Sequence, residues 1–311
     1  MLSYLQAVVI GLTQGITELF PISSLGHSVL IPALIGGSWQ PLVTQSSTGD
    51  SGSSFYLAFI VALHVATAAA LLLFFRREWV RIIGGFLRSL RPSLTARRVV
   101  ADDPDSRLAW LIVIATIPVG LTGVALEHTF RTIFAKPLAA AIFLTINGIV
   151  LLVGERLRRT SEVALSTAAT SSGSTWEADR RGTRPVGSLS YKEALGVGVF
   201  QIAALFAGIS RSGVAMVGGL TRGLSHEDAA RFSFLLATPV IFAAGVLKLP
   251  SLAGASGSHI HGQILVGVLV AFAAAYLSIR FLVRYFETRT LTPFAVYSLV
   301  AGVLCIVRFS V

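Results

Sequence analysis

The sequence predicts an all-α, polytopic helical bundle embedded in a membrane, and three observations lead there. Of 311 residues, 54% are hydrophobic and 13% charged, where an ordinary soluble domain carries about a quarter charged residues. Six apolar runs, Phe55–Phe75, Leu108–Leu126, Pro137–Val153, Phe232–Leu247, Gln263–Ile279 and Pro293–Val307, approach or exceed the length that crosses a hydrocarbon core of about 30 Å. Arginine is concentrated in particular connections, as positive-inside topology requires. The net charge of +10 therefore reads as cytoplasmic loops rather than a nucleic-acid surface, and no nucleic-acid partner is expected. The single cysteine, Cys305, lies inside an apolar run and excludes an intramolecular disulfide or a Cys-rich metal site. The apolar N-terminal stretch has no Lys or Arg before it and contains Gln14 and Glu18, so it is expected to stay in the mature chain.

Charge sets the topology. The connection Arg76–Arg107 and the connection 154–192 are both basic and should be cytoplasmic; Arg280, Arg284 and Arg289 mark a third basic turn. The loops 35–53 and 250–262 contain one charged residue, Asp50, and should lie outside. Residues 160–189, rich in Ser, Thr, Ala and Gly, read as a flexible cytoplasmic linker between two halves, 1–159 and 190–311.

Those halves resemble each other. A shift of 187 positions aligns Ser3–Gly26 with Ser190–Gly213, and Ser3/Ser190, Tyr4/Tyr191, Ala7/Ala194, Gly11/Gly198, Gln14/Gln201, Ile22/Ile209, Ser23/Ser210 and Gly26/Gly213 are identical. In each copy an apolar helix runs into a polar break, Pro21–His27 and Ala207–Gly213. Irregular backbone cannot face lipid, because each unpaired N–H or C=O would cost several kcal/mol. The short pieces on either side predict re-entrant hairpins over 2–34 and 191–222. The first returns to the outside and the second to the inside. Six crossings, about 54–75, 108–126 and 137–153, then 225–247, 263–280 and 293–309, connect every loop to the side its charge demands, with both termini outside. A single crossing by residues 1–34 would reverse the sidedness of the basic loops. The result is an inverted repeat whose broken helices meet near the midplane.

The candidate chemistry sits in the breaks. Gln14 and Glu18, spaced i, i+4, share a helix face, and an ionisable group within an apolar stretch is a functional candidate by default. Ser23, Ser24 and His27 follow within ten residues of Glu18. In the second break, Ser210-Arg211-Ser212 sets a guanidinium between two hydroxyls and beside Gly208 and Gly213. Arg offers a donor fork suited to phosphate, Gly admits close backbone N–H groups, and a following helix N-terminus adds a favourable dipole. His259 and His261 are spaced as metal ligands sometimes are, but two histidines are a weak signal and read as surface residues.

Three linked motifs, Gln14-Gly-Ile-Thr-Glu18 through His27, Ala207-Gly-Ile-Ser-Arg-Ser-Gly213, and Ala229-Ala-Arg-Phe-Ser-Phe-Leu-Leu-Ala-Thr-Pro239, resemble the successive signatures of the undecaprenyl-pyrophosphate phosphatase family, also called the bacitracin-resistance family. The resemblance implies a multi-pass phosphatase of the bacterial plasma membrane. It would remove the terminal phosphate of a polyprenyl diphosphate lipid, recycling the carrier for cell-wall polymers, at a site open to the extracytoplasmic side. By position the family's acidic motif falls on Gln14 and Glu18, its Ser/His stretch on Ser23, Ser24 and His27, and its SerArgSer stretch on Ser210, Arg211 and Ser212. Ala207 and Ala215 stand where the family pattern has Pro and Thr, which puts full rate or substrate preference in question.

The expected site has Arg211 and N–H groups neutralising the phosphates and a divalent cation, Mg²⁺ or Ca²⁺, held by Glu18 and Gln14. The attacking group is left open among Ser24 activated by His27, His27 itself, and a water. Oligomeric state is also left open, a homodimer included. Two other readings share the architecture: a lipid-phosphate flippase, since broken inverted repeats are a transporter device, and a paralogue that binds the carrier without turnover.

Overall fold

The computed structural model describes residues 2–40, 42, 55–134, 136–171, 184–252 and 261–310. Among them are eleven α-helices: α1 Tyr4–Thr17, α2 Ser24–Ile35, α3 Phe55–Phe74, α4 Arg76–Ala96, α5 Pro104–Phe134, α6 Pro137–Ser171, α7 Tyr191–Ile202, α8 Arg211–Leu220, α9 His226–Leu252, α10 His261–Thr288 and α11 Thr292–Ser310. No β-strand occurs among the described residues. Four helical stretches, Pro104–Leu126, Pro137–Arg159, His261–Thr288 and Thr292–Ser310, are long and apolar enough to cross a membrane, and α3 with α4 makes a fifth if that bent pair is one span. Large apolar side chains such as Leu121, Leu269, Leu277 and Leu304 are exposed on these helices, as expected of surfaces that face acyl chains.

Each half begins the same way. Ser3 caps α1, its Oγ accepting from Gln6 N at 3.1 Å while Ser3 N donates to Gln6 Oε1 at 2.8 Å. Ser190 and Glu193 build the same capping box on α7, at 3.2 and 2.7 Å. Helices α1, α2, α7 and α8 have 14, 12, 12 and 10 residues, too short to span a bilayer alone.

The halves exchange partners. Helix α1 packs chiefly on α10, and α7, its counterpart 187 residues on, packs chiefly on α5. A Cβ added to Gly11 would lie 2.6 Å from the Gly267 carbonyl oxygen, and one added to Gly198 would overlap the Ala115 carbonyl. The same reciprocity joins α6 and α11: a Cβ on Gly148 would meet Ala295 O at 2.8 Å, and one on Gly302 would meet Ala141 O at 3.0 Å. Each half therefore supplies the surface that covers the other.

Two connections carry helix beyond what the charge pattern specifies. Residues 76–96 form a helix, bent 86° from α3, because apolar positions recur at helical spacing among the arginines; Ile82 and Gly85 face inward while Val80, Ile83, Leu87 and Leu94 are exposed. The flexible linker read over 160–189 is helical as far as Ser171: no Gly or Pro interrupts 160–171, so α6 propagates into it. Its other end is also ordered. Arg184 N donates to Gly223 O at 2.9 Å, and Arg107 reaches Leu189 O at 2.8 Å. Residues 172–183 lie outside the described residues.

Candidate active site

The first break is narrower than its sequence suggests. It runs from Glu18 to Ser23, and α2 resumes at Ser24, so Ser24 and His27 stand on the first turn of a helix. Ser23 caps that helix with φ 72°, a left-handed conformation costly for a residue with a Cβ. Its hydroxyl recovers part of that cost by accepting from Gly26 N at 3.2 Å and from Gly208 N, in the other break, at 3.1 Å. The second break runs through the single 3₁₀ turn Ala203–Leu205 to Ser210, and Arg211, Ser212 and Gly213 open α8.

The two breaks touch. Gly208 adopts φ 115°, and a Cβ there would overlap the Ala140 carbonyl. A Cβ on Gly26 would sit 3.0 Å from Gly208 Cα, while one on Gly213, the position 187 residues on, would sit 3.3 Å from Pro21 Cβ. The crossing is thus symmetric in packing but not in hydrogen bonding. Ser23 receives the Gly208 N–H, whereas Pro21 has no N–H to give Ser210. Asn147 takes up the difference: its Oδ1 accepts from Ser210 N at 2.9 Å and its Nδ2 donates to Pro21 O at 3.0 Å and Ser298 Oγ at 3.2 Å.

Glu18 is the hub of the site. Its Oε1 accepts from Arg211 Nη2 at 2.9 Å, and its Oε2 accepts from Gln14 Nε2 at 3.1 Å, from Ser24 Oγ, and lies 3.4 Å from His64 Nε2. The carboxylate is 7% exposed. Such burial requires compensation, and four partners supply it. Two buried atoms of this cluster have no partner among the described residues: Arg211 Nη1 and Gln14 Oε1.

The sequence-predicted residues divide into two groups. Gln14, Glu18, Ser24 and Arg211 meet in one cluster. Ser23, Ser210, Ser212, Gly208 and Gly213 form the scaffold that joins the breaks: Ser210 and Ser212 contact each other at 3.0 Å and reach Phe20 O at 3.5 and 3.3 Å. His27 is not hydrogen-bonded to Ser24. Its Nδ1 lies 2.7 Å from Ser23 O, and its Nε2 lies 2.8 Å from Tyr297 OH, against which the ring stacks. A carbonyl can only accept, so in the neutral ring Nδ1 carries the proton and Nε2 receives the tyrosine O–H. Ser24 instead donates to Glu18. His64, Asn147 and Tyr297 were not among the sequence candidates. A lone His and a lone Asn within apolar runs were the available signal for the first two.

No group of three or more His, Cys, Asp or Glu is placed to hold a metal among the described residues. His259 lies outside them, and His261 is exposed at the start of α10.

The family model for bacitracin resistance protein BacA matches residues 7–304. An undecaprenyl-diphosphatase 2 from Frankia alni is 59% identical, covering 100% of this chain and 99% of the relative. An undecaprenyl-diphosphatase from Mycolicibacterium paratuberculosis is 55% identical over 97% and 95%, and an undecaprenyl-diphosphatase 2 from Burkholderia lata is 42% identical over 96% and 94%. With a buried Glu18–Arg211 pair at the meeting of two helix breaks, and a family match over nearly its whole length, the chain belongs to the bacitracin resistance protein BacA family.

Proposed function

We propose that this chain hydrolyses undecaprenyl diphosphate to undecaprenyl phosphate and phosphate in the bacterial plasma membrane, recycling the lipid carrier for cell-wall synthesis and conferring bacitracin resistance. The observation that carries the reading is Arg211. One terminal guanidinium nitrogen is spent on Glu18, and the other terminal nitrogen, buried, has no partner among the described residues. A buried donor left unmade costs about 1–3 kcal/mol, and a phosphate oxygen would recover it with a charge-assisted bond. The N-terminus of α8 adds its dipole at the same point.

The hydrogen bond from Ser24 to Glu18 supports Ser24 as the attacking group. Ser24 Oγ donates to Glu18, so Glu18 takes the hydroxyl proton as Ser24 Oγ forms its bond to the terminal phosphorus. The anhydride P–O bond breaks, and the lipid monophosphate leaves with the electron pair. Water then attacks the phosphorus of the phosphoserine, the Oγ–P bond breaks with its electron pair on Ser24 Oγ, Glu18 returns its proton there, and phosphate leaves carrying both water hydrogens. His27, fixed by Ser23 and Tyr297, orders the first turn of α2 from which Ser24 projects.

A divalent cation, Mg²⁺ or Ca²⁺, fits this donor set in company with substrate. Gln14 Oε1 is an unpartnered buried oxygen on the residue adjacent to Glu18 in the cluster, and hard cations take carboxylate and amide oxygens. Glu18 and Gln14 would hold it. Bound there, it would withdraw charge from the phosphate oxygens.

We propose that the chain makes six crossings and two re-entrant hairpins that enter from opposite faces, with the site open outward; the four short helices α1, α2, α7 and α8 on either side of the two breaks support this topology. A second reading, a lipid-phosphate flippase, is favoured by the meeting of two broken helices from related halves, since transporters build substrate sites at such breaks.

Phosphate release from undecaprenyl diphosphate by the purified protein tests the proposal. Arg211→Ala should lower the rate by about 10²–10³-fold with the protein still folded, and chelator should lower it further in the wild type. Ser24→Ala should remove turnover and the acid-stable phosphoenzyme together. Full activity in Arg211→Ala would refute its role. Headgroup transfer across liposomes without phosphate release would establish the flippase instead.

A further inference from the structure

A second basic site lies outside the cluster around Glu18. Arg280, Arg284 and Arg289, on the last turns of α10 and just beyond it, line one open cleft of about 430 Å³ together with Leu277, Phe281 and Tyr285. Arg280 and Arg284 are one helical turn apart and share a face. Among the described residues none of the three forms an ion pair; the acidic side chains that do have partners use other cations.

Three uncompensated guanidinium groups in one cleft repel one another, and an anion would relieve that repulsion. The cleft is also apolar on one side. Leu277 is 65% exposed and Phe281 51%, on a helix whose length and composition suit a membrane span. A small soluble anion would leave those side chains unused. A phosphate carrying acyl chains would use both parts, the guanidinium fork binding the phosphodiester and the chains lying along Leu277 and Phe281.

We infer that this cleft binds the headgroup of an anionic membrane phospholipid, held by Arg280, Arg284 and Arg289. The position has a consequence for the rest of the molecule. Phe281 stacks on Phe20 with centroids 5.9 Å apart and planes 4° from parallel, and Phe20 belongs to the first break, its carbonyl accepting from Ser212. A lipid seated against Phe281 therefore supports the wall behind the helix break.

The test uses the full-length protein in mixed micelles of phosphatidylcholine with and without phosphatidylglycerol, read by thermal melting and by the lipid that co-purifies. Wild type should gain about 2–4 °C with phosphatidylglycerol, the shift expected of a ligand in excess over its dissociation constant. It should also retain that lipid over phosphatidylcholine. The Arg280→Gln/Arg284→Gln double variant should lose the shift and the selective retention. The Arg76→Gln/Arg77→Gln control, with the same change in net charge elsewhere, should keep both. Equal responses in wild type and the double variant would mean bulk surface charge and overturn the site. The same shift from inorganic phosphate alone would overturn the lipid assignment. If the double variant does not fold, Arg289→Gln alone should still reduce retention, and undiminished retention would count against the site.

Discussion

At the residue scale the site is built on two positions where the backbone is forced. Ser23 holds a left-handed φ of 72° and Gly208 a φ of 115°, and the two are tied by the Gly208 N to Ser23 Oγ bond. Gly208→Ala should cost about 2–3 kcal/mol, combining strain at a conformation L-residues avoid with overlap on the Ala140 carbonyl. A thermal melt in detergent checks it, and an unchanged melting temperature would remove this account of the crossing. Asn147→Leu keeps the volume but strands Ser210 N–H and Pro21 C=O, each a buried group whose partner is lost. It should cost about 2–4 kcal/mol and lower phosphate release, since Arg211 follows Ser210 directly. Neither Asn147 nor its role could be read locally, because its three partners come from distant parts of the chain.

At the element scale, the capping boxes show how much is local. Ser3 with Gln6 and Ser190 with Glu193 are visible as sequence patterns and form as written. Glu193 goes further. Hydrogen bonds from Arg184, then from Ser190 N, hold its carboxyl at about 2, well below the usual 4.5. A carboxyl depressed in the folded state contributes stability that is present above its unfolded value and is lost as pH falls from about 4.5 through about 2. The protection factors of the amides at 186–190 should therefore stay high at pH 5 and fall progressively below it, and Glu193→Gln should remove the dependence. A flat profile in the wild type would show that Arg184 is not what docks this segment. The same element explains why a linker read over 160–189 came out too long: Ser, Gly and Thr content marks flexibility, but the Arg184 contacts to Glu193 and Arg222 O are tertiary.

At the scale of the whole molecule, the reciprocal packing carries the stability argument. Helix α1 finds its main partner in α10 and α7 in α5, so each half alone would expose the glycine faces at Gly11, Gly148, Gly198 and Gly302. Residues 1–171 expressed alone should aggregate in detergent, and co-expression with 184–311 should restore both a monodisperse sample and phosphate release. A stable, monodisperse 1–171 would show that the halves fold independently. Gly198→Val should be as harmful as Gly11→Val, because each drives a side chain into a facing carbonyl.

Composition, spacing and residue type by themselves determined the helical membrane class, the position of both breaks and the kinship of residues 187 apart, and marked Gln14, Glu18, Ser23, Ser24, His27, Ser210, Arg211 and Ser212 as candidates without saying which of them meet. Those features depend on hydrophobicity, spacing and residue type, which a linear chain displays. Only the tertiary structure decided that Ser24 donates a hydrogen bond to Glu18 rather than facing His27, that His64 joins the Glu18 cluster, and that Asn147, Ser210 and Ser212 brace the breaks. Hydrogen-bond direction is set by where side chains from separate helices converge, within a few tenths of an ångström, and no one-dimensional pattern records that convergence.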